Sequence, residues 1–172
     1  MCLTEKEAKE YREYLEKLAS QKSKKMFSNG GKDHAVVLYS VLLQHTSLKA
    51  RFFCEGGMSE IWQHPVFKKA LVDALRKEDF EVCVLTRLHT TPNFSWLPDD
   101  LKKKITIKVA SEANILKINE HFQTDSCNFS VFDKDMFRFE YDVMNYKAYG
   151  SFNEESVGNS MVSLFDECFD AA

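Results

Sequence analysis

The chain has 172 residues, with Lys+Arg 23 set against Asp+Glu 26 for a formal charge of −3, and it is 44% hydrophobic and 13% aromatic. That length favours one domain with a sizeable core, and six Gly, three Pro and 14 Phe exclude collagen-like and Pro/Gly-rich disordered chains. The charge lacks the basic excess of a dedicated duplex-DNA binder, and no apolar run approaches the roughly 20 residues of a membrane span.

Residues 4–21 are expected to form an amphipathic helix. Thr4 and Glu7 have capping-box spacing, and Tyr11, Tyr14 or Leu15, and Leu18 recur on one stripe. Lys22 to Lys25 end it. A short strand at 26–28 leads through Asn29-Gly30-Gly31 into a helix over about 33–46, apolar on most sides as a helix buried against a sheet must be. Residues 48–54 read as a strand broken by Gly56-Gly57, and Pro65 opens a helix through about Lys77 with Phe67, Ala70, Leu71, Ala74 and Leu75 inward. Strands follow at 80–86 and 105–109. The intervening 88–104 is mostly loop, pinned by Phe94 and Trp96, with a helical turn after Pro98. Beyond a polar stretch at 111–125, strands at 127–132 and 136–141 form a hairpin around Asp133-Lys134-Asp135. A strand at 147–152 precedes a helix at 154–170 with Val157, Met161, Leu164, Phe165 and Phe169 inward. Strands alternating with helices predict an α/β fold, a mixed β-sheet flanked by helices, with an extra N-terminal helix.

Most candidate chemistry fails on spacing. The turn Ser28-Asn29-Gly30-Gly31-Lys32-Asp33 lacks both phosphate-loop and dinucleotide patterns, and reads as a tight turn with Asp33 capping the next helix. His34, His45, His64, His89 and His121 show no metal-ligand spacing, and Asp133-x-Asp135 reads as a hairpin turn, so no metal or cofactor is expected. Cys2, Cys54, Cys83, Cys127 and Cys168 are an odd set without C-x-x-C, which fits a reducing cytoplasm. Lysine clusters at 22–25 and 102–104 read as solvated helix ends. The charge balance leaves nucleic acid open without indicating it, and no membrane association is expected.

One constellation is more specific. Along 126–132, Cys127, Phe129 and Val131 alternate with Ser126, Asn128 and Ser130. Asp133 ends the strand, and Gly150-Ser151-Phe152-Asn153 follows the hairpin. This resembles the second half of a phospholipase D superfamily module, whose motif is H-x-K-x-x-x-x-D followed by G-S-x-N. The resemblance aligns Asp133 with the motif's aspartate, Ser126 with its histidine and Asn128 with its lysine, while Gly150, Ser151 and Asn153 match outright. The interval from Asp133 to Gly150 is longer than the family usually shows, which suits an enlarged hairpin. Residues 26–53 are similar to the superfamily's opening strand–helix–strand. The implied organisation is one phospholipase D-like domain over 1–172, with the N-terminal helix at 1–22 and the core at 24–170.

The departures carry the functional expectation. In the family the histidine attacks phosphorus and the lysine offsets developing charge. Here Ser126 has no neighbouring base and Asn128 no positive charge. No catalytic residue is therefore assigned. The resemblance implies a non-catalytic binding or assembly subunit, a homodimer with an unidentified protein partner, in a bacterial-type cytoplasmic system such as phage defence or a mobile element. The alternatives are a phosphodiesterase or nuclease with a displaced site, for which His121 is the nearest nucleophile, and a nucleic-acid-binding module. Asn128, Ser151 and Asn153 are expected to approach one another at the start of the last helix, with Asn153 as its cap.

Overall fold

A computed structural model describes residues 3–56 and 58–172. Cys2 and Gly57, which the sequence reading used, lie outside the described residues. In chain order the elements are α1 (Glu5–Ser20), β1 (Phe27–Gly30), α2 (Lys32–His45), β2 (Lys49–Cys54), α3 (Ser59–Gln63), α4 (Pro65–Leu75) and β3 (Glu81–Thr86). They continue with α5 (Asp99–Lys102), β4 (Ile105–Val109), α6 (Glu112–Phe122), β5 (Asn128–Phe132), β6 (Met136–Asp142), β7 (Lys147–Ser151) and α7 (Glu155–Asp170). Among the described residues seven strands make one mixed sheet in the order β1-β7-β6-β5-β2-β3-β4. β2, β3 and β4 run parallel, whereas β5 is antiparallel to β2, and β5, β6, β7 and β1 pair antiparallel in turn.

This topology explains the composition of α2. The helix leaves β1 at one edge and must deliver the chain to β2 in the middle of the sheet. It therefore crosses β7, β6 and β5 while α1 and α4 pack on its outer side. Every residue from Ala35 to Leu43 is buried as a result. One core lies on this face of the sheet, where Phe52, Trp62, Phe67 and Phe132 interlock with Tyr39. A second core on the other face packs Phe53, Phe129 and Phe137 of the strands against Ile115, Ile118, Leu164 and Phe165 of α6 and α7.

Local signals set several boundaries. The Thr4 capping box is formed, with the Glu7 N–H bonding Thr4 Oγ1 and Glu7 Oε2 accepting from the Thr4 N–H at 2.9 Å. Pro65 opens α4, capped by His64 Nδ1, which accepts the Val66 N–H at 3.2 Å. Phe94 is buried and meets Trp62 edge-on at 5.5 Å, so it does pin the long connection.

Four expectations need correction. The polar stretch at 111–125 is in fact α6, capped by Ser111 and closed by Gln123 in the left-handed region at φ 53°. The short helix α3 fills the connection after β2. Asp33 does not cap α2: its carboxylate accepts the Leu3 N–H at 2.9 Å, and the cap position is Gly31. Val157 is exposed rather than inward, because the close face of α7 at that turn is Gly158. Among the described residues no helix is long and apolar enough to cross a membrane.

Candidate functional site

The sheet directions place the ends of β1, β2, β3, β4 and β6 and the starts of β5 and β7 at one edge of the molecule. Crevices outside the carboxyl ends of strands are where open α/β sheets bind ligands. Here that region carries a charged cluster within the protein. Arg138 and Glu140, two residues apart on β6, project to the α2 face and are both 0% exposed. Arg138 Nη2 donates to Glu140 Oε2 at 2.5 Å, Nη1 donates to the Tyr39 hydroxyl at 3.1 Å, and Nε donates to Asn29 Oδ1 at 3.1 Å. The guanidinium also lies 4.9 Å from the centre of the Tyr39 ring. Asn29 in turn donates to the Tyr146 carbonyl at 2.5 Å.

Asn128 completes the arrangement. Its Nδ2 donates to Glu140 Oε1 at 2.6 Å and to the Gly56 carbonyl at 2.7 Å, while its Oδ1 accepts the N–H groups of Glu55 and Gly56. The Ser130 and Tyr39 hydroxyls are 3.2 Å apart. Each member therefore binds another, and the +1 and −1 charges neutralise one another out of water. That is the condition under which a buried ion pair is tolerated. Burial alone disfavours the charged Arg138, but Tyr39 and Glu140 more than offset it and raise its pKa. Burial pushes the Tyr39 phenol up to about 12. Chemically this is a clamp that ties β1, α2, β5, β6 and the β2–α3 connection together. It offers no accessible nucleophile.

The remaining sequence-selected residues are divided between the two ends of the sheet. Ser126 is exposed in the turn before β5, where its N–H and carbonyl both engage Thr124 Oγ1. His121 is exposed on the last turn of α6 with its ring against Phe122 at 4.8 Å. Asp133, Gly150, Ser151 and Asn153 lie at the opposite end, because five residues of β5 separate Asn128 from Asp133, about 17 Å at strand rise. The expected convergence of Asn128 with Ser151 and Asn153 therefore does not occur. In the ladder Ser151 stands beside Phe137, whereas Asn128 stands beside Glu140. Nor does Asn153 cap α7. Glu154 holds the cap position without a side-chain bond, and Asn153 Nδ2 donates to the Lys22 carbonyl at 2.8 Å instead.

Asp133 has a clear structural task. It sits at φ 52°, which Asp tolerates better than most residues. Its carboxylate accepts the backbone N–H groups of Ser47, Leu48 and Lys49 at 2.8 to 3.0 Å, holding the α2–β2 connection to the hairpin. Asp133→Ala is expected to cost about 2–3 kcal/mol in chemical denaturation, from unpaired amides and a strained φ. A cost below about 0.5 kcal/mol would show that water replaces the carboxylate freely.

The four described thiols are unsuited to nucleophilic work. Cys54, Cys83, Cys127 and Cys168 are all buried, and burial pushes the Cys127 thiol up to about 12. Among the described residues no three His, Cys, Asp or Glu side chains converge as a ligand set. The sequence reading missed Arg138, Glu140, Tyr39 and Asn29. The signal for the two charges was the alternation Phe137-Arg138-Phe139-Glu140, which places both on one face of β6.

No protein-family model matches the chain, and no curated protein sequence matches it. Among solved structures it is similar in fold to TrmBL2, described as an archaeal chromatin protein with a novel mode of DNA binding. The TM-score is 0.53 at 13% identity, over 96% of this chain and 60% of that one. At that identity the likeness is one of fold. The chain spans about 60% of the length of the TrmBL2 chain.

Proposed function

We propose that this chain is a non-catalytic, phospholipase D-like domain that works as a binding or assembly unit in a cytoplasmic, bacterial-type system, pairing with itself and with a protein partner. The carrying observation is Asn128. At the position where the resembled family places its lysine, this side chain is 1% exposed and spends its amide on Glu140 and the Glu55–Gly56 backbone. It has no free donor for a phosphate. Ser126, at the histidine position, is exposed and lacks a base. Nucleophile and electrostatic stabiliser act as a unit in such chemistry, and the two aligned positions supply neither. No turnover of a phosphodiester, nucleic acid or phospholipid is expected, with or without added divalent metal. Hydrolysis that survives Ser126→Ala but disappears with His121→Ala would replace this reading with a displaced-site enzyme.

A second reading, a nucleic-acid-binding module, is favoured by the fold likeness to TrmBL2, whose description includes DNA binding. The formal charge of −3 weighs against direct phosphate contact, since counterion release supplies most such affinity. The first reading expects no gel retardation of DNA or RNA at low salt. Retardation that weakens steeply as salt rises would promote the second.

A further inference from the structure

We propose that the outer edge of β4 pairs antiparallel with β4 of a second copy of this chain, joining the two sheets across a two-fold axis. The inference rests on the assembly reading and extends it by naming the surface through which two copies pair. The sheet order ends at β4, whose only strand neighbour among the described residues is β3. The Val82 N–H bonds the Lys104 carbonyl and the Ala110 N–H bonds the Thr86 carbonyl. By the alternation of a parallel ladder, residues 104, 106, 108 and 110 therefore face β3. The N–H and C=O groups of Ile105, Ile107 and Val109 face outward.

Two devices that often protect such an edge are missing. The strand Ile105-Thr106-Ile107-Lys108-Val109 has no proline and no bulge in its pairing with β3. Its one charge is directed elsewhere: Lys108 Nζ donates to the Phe169 carbonyl at 2.8 Å and lies over that ring. The opposite edge, β1, is only four residues long and is preceded by Lys24 and Lys25.

The edge is complementary to itself. An antiparallel pair centred on Ile107 sets Ile107 against Ile107 and Ile105 against Val109, all in hydrogen-bonding register, and places their side chains on one face. Thr106 then stands opposite Lys108 on the other face, so no like charges meet. Beside this seam is a hollow of about 340 Å³ lined by Phe94, Ser95, Lys102, Ile105 and Ile107, placed to receive the second copy's Val109. The two-fold also brings Lys102, Lys103 and Lys104, which precede β4, beside the second copy's Ser111-Glu112, which follow it. Glu112 and Lys103 are both exposed, and their charges are opposite. The two β5 strands end up seven strand positions apart, about 33 Å, so the Ser126 positions of the two copies do not meet.

Light scattering and sedimentation of the full chain, from low micromolar to several hundred micromolar, test the pairing. The parent is expected to dimerise. Ile107→Pro removes only an outward N–H and leaves the β3 ladder intact, so it should fold and remain monomeric. Val109→Lys, at an exposed site, adds charge to the seam and should also abolish the dimer with unchanged melting; it carries the test if the proline variant does not fold. Amide exchange at Ile105 and Ile107 should slow as concentration rises, while exchange at Thr106 and Lys108 stays constant. A parent that stays monomeric throughout, or a dimer that persists in Val109→Lys, overturns the proposal. Hydrolysis or DNA binding would overturn the non-catalytic binding reading without moving this result, whereas a dimer that persists in Val109→Lys would overturn the β4 seam and leave the assembly reading standing.

Discussion

Replacing Arg138 with Met is expected to destabilise the protein by about 3–5 kcal/mol, a large part of the roughly 5–15 kcal/mol that a domain of this kind commands. The cost comes less from lost attraction than from what is left behind. Glu140 is left without its countercharge where solvent does not reach it, with Asn128 as its remaining donor among the described residues. Asn29 Oδ1 and the Tyr39 hydroxyl lose their donors as well. Glu140→Leu alone should cost a similar amount, because it strands the guanidinium instead. The double variant removes both charges and should be more stable than the sum of the singles implies, with a coupling of about 2 kcal/mol or more in a urea-denaturation cycle. Two single variants each within about 1 kcal/mol of the parent would mean that water reaches the pair.

The legibility of the fold follows from how each element meets its surroundings. α1, α2, α4 and α7 were readable because each carries its own periodicity or cap. The long buried run of α2 followed from its apolar sequence before any sheet order was known. α6 was not legible for a physical reason. Only Ile115 and Ile118 are fully inward among its apolar residues, while Leu116 is exposed and Asn114 is buried with its amide on the Cys168 carbonyl. A helix that covers one corner of a sheet shows too narrow a stripe to stand out from a polar connection. α3, at five residues, is set by packing of Ile61 and Trp62 rather than by propensity.

The candidate site was half legible. The alternation along β5 correctly put Asn128 and Ser130 on one face, away from Cys127, Phe129 and Val131. A period of two cannot distinguish a polar face in water from one sealed under a helix. Arg138 and Glu140 read as ordinary solvent-facing charges until α2 is placed above them, and α2 is placed there only by the long crossover from β1 to β2. The distance between Asn128 and Ser151 was equally hidden. It depends on strand direction within the hairpin, and the spacing of motif letters does not encode it.

The most motif-like part of the sequence now has a packing explanation, and it leads to the second large effect. A Cβ at Gly150 would lie 2.0 Å from the Phe137 carbonyl oxygen and 2.6 Å from Cζ of Phe27, so β7 can cross that point only without a side chain. Gly158 poses the same test inside a helix, where Ala ordinarily stabilises by about 1 kcal/mol relative to Gly. Its Cβ would meet the Lys134 carbonyl oxygen at 2.2 Å and the Lys134 carbonyl carbon at 2.8 Å, both backbone atoms that cannot rotate away. The Glu154 N–H already bonds the Asp135 carbonyl at 2.8 Å, which holds the start of α7 against the hairpin turn. Gly150→Ala and Gly158→Ala should each therefore destabilise by about 3 kcal/mol, at the upper end of overpacking costs, reversing the sign that helix propensity gives for the second. Ser160→Ala, exposed on the same helix, should stay within about 0.5 kcal/mol of the parent. If Gly158→Ala melts above the parent instead, α7 can shift off the hairpin, and the close approach is not a constraint on the fold.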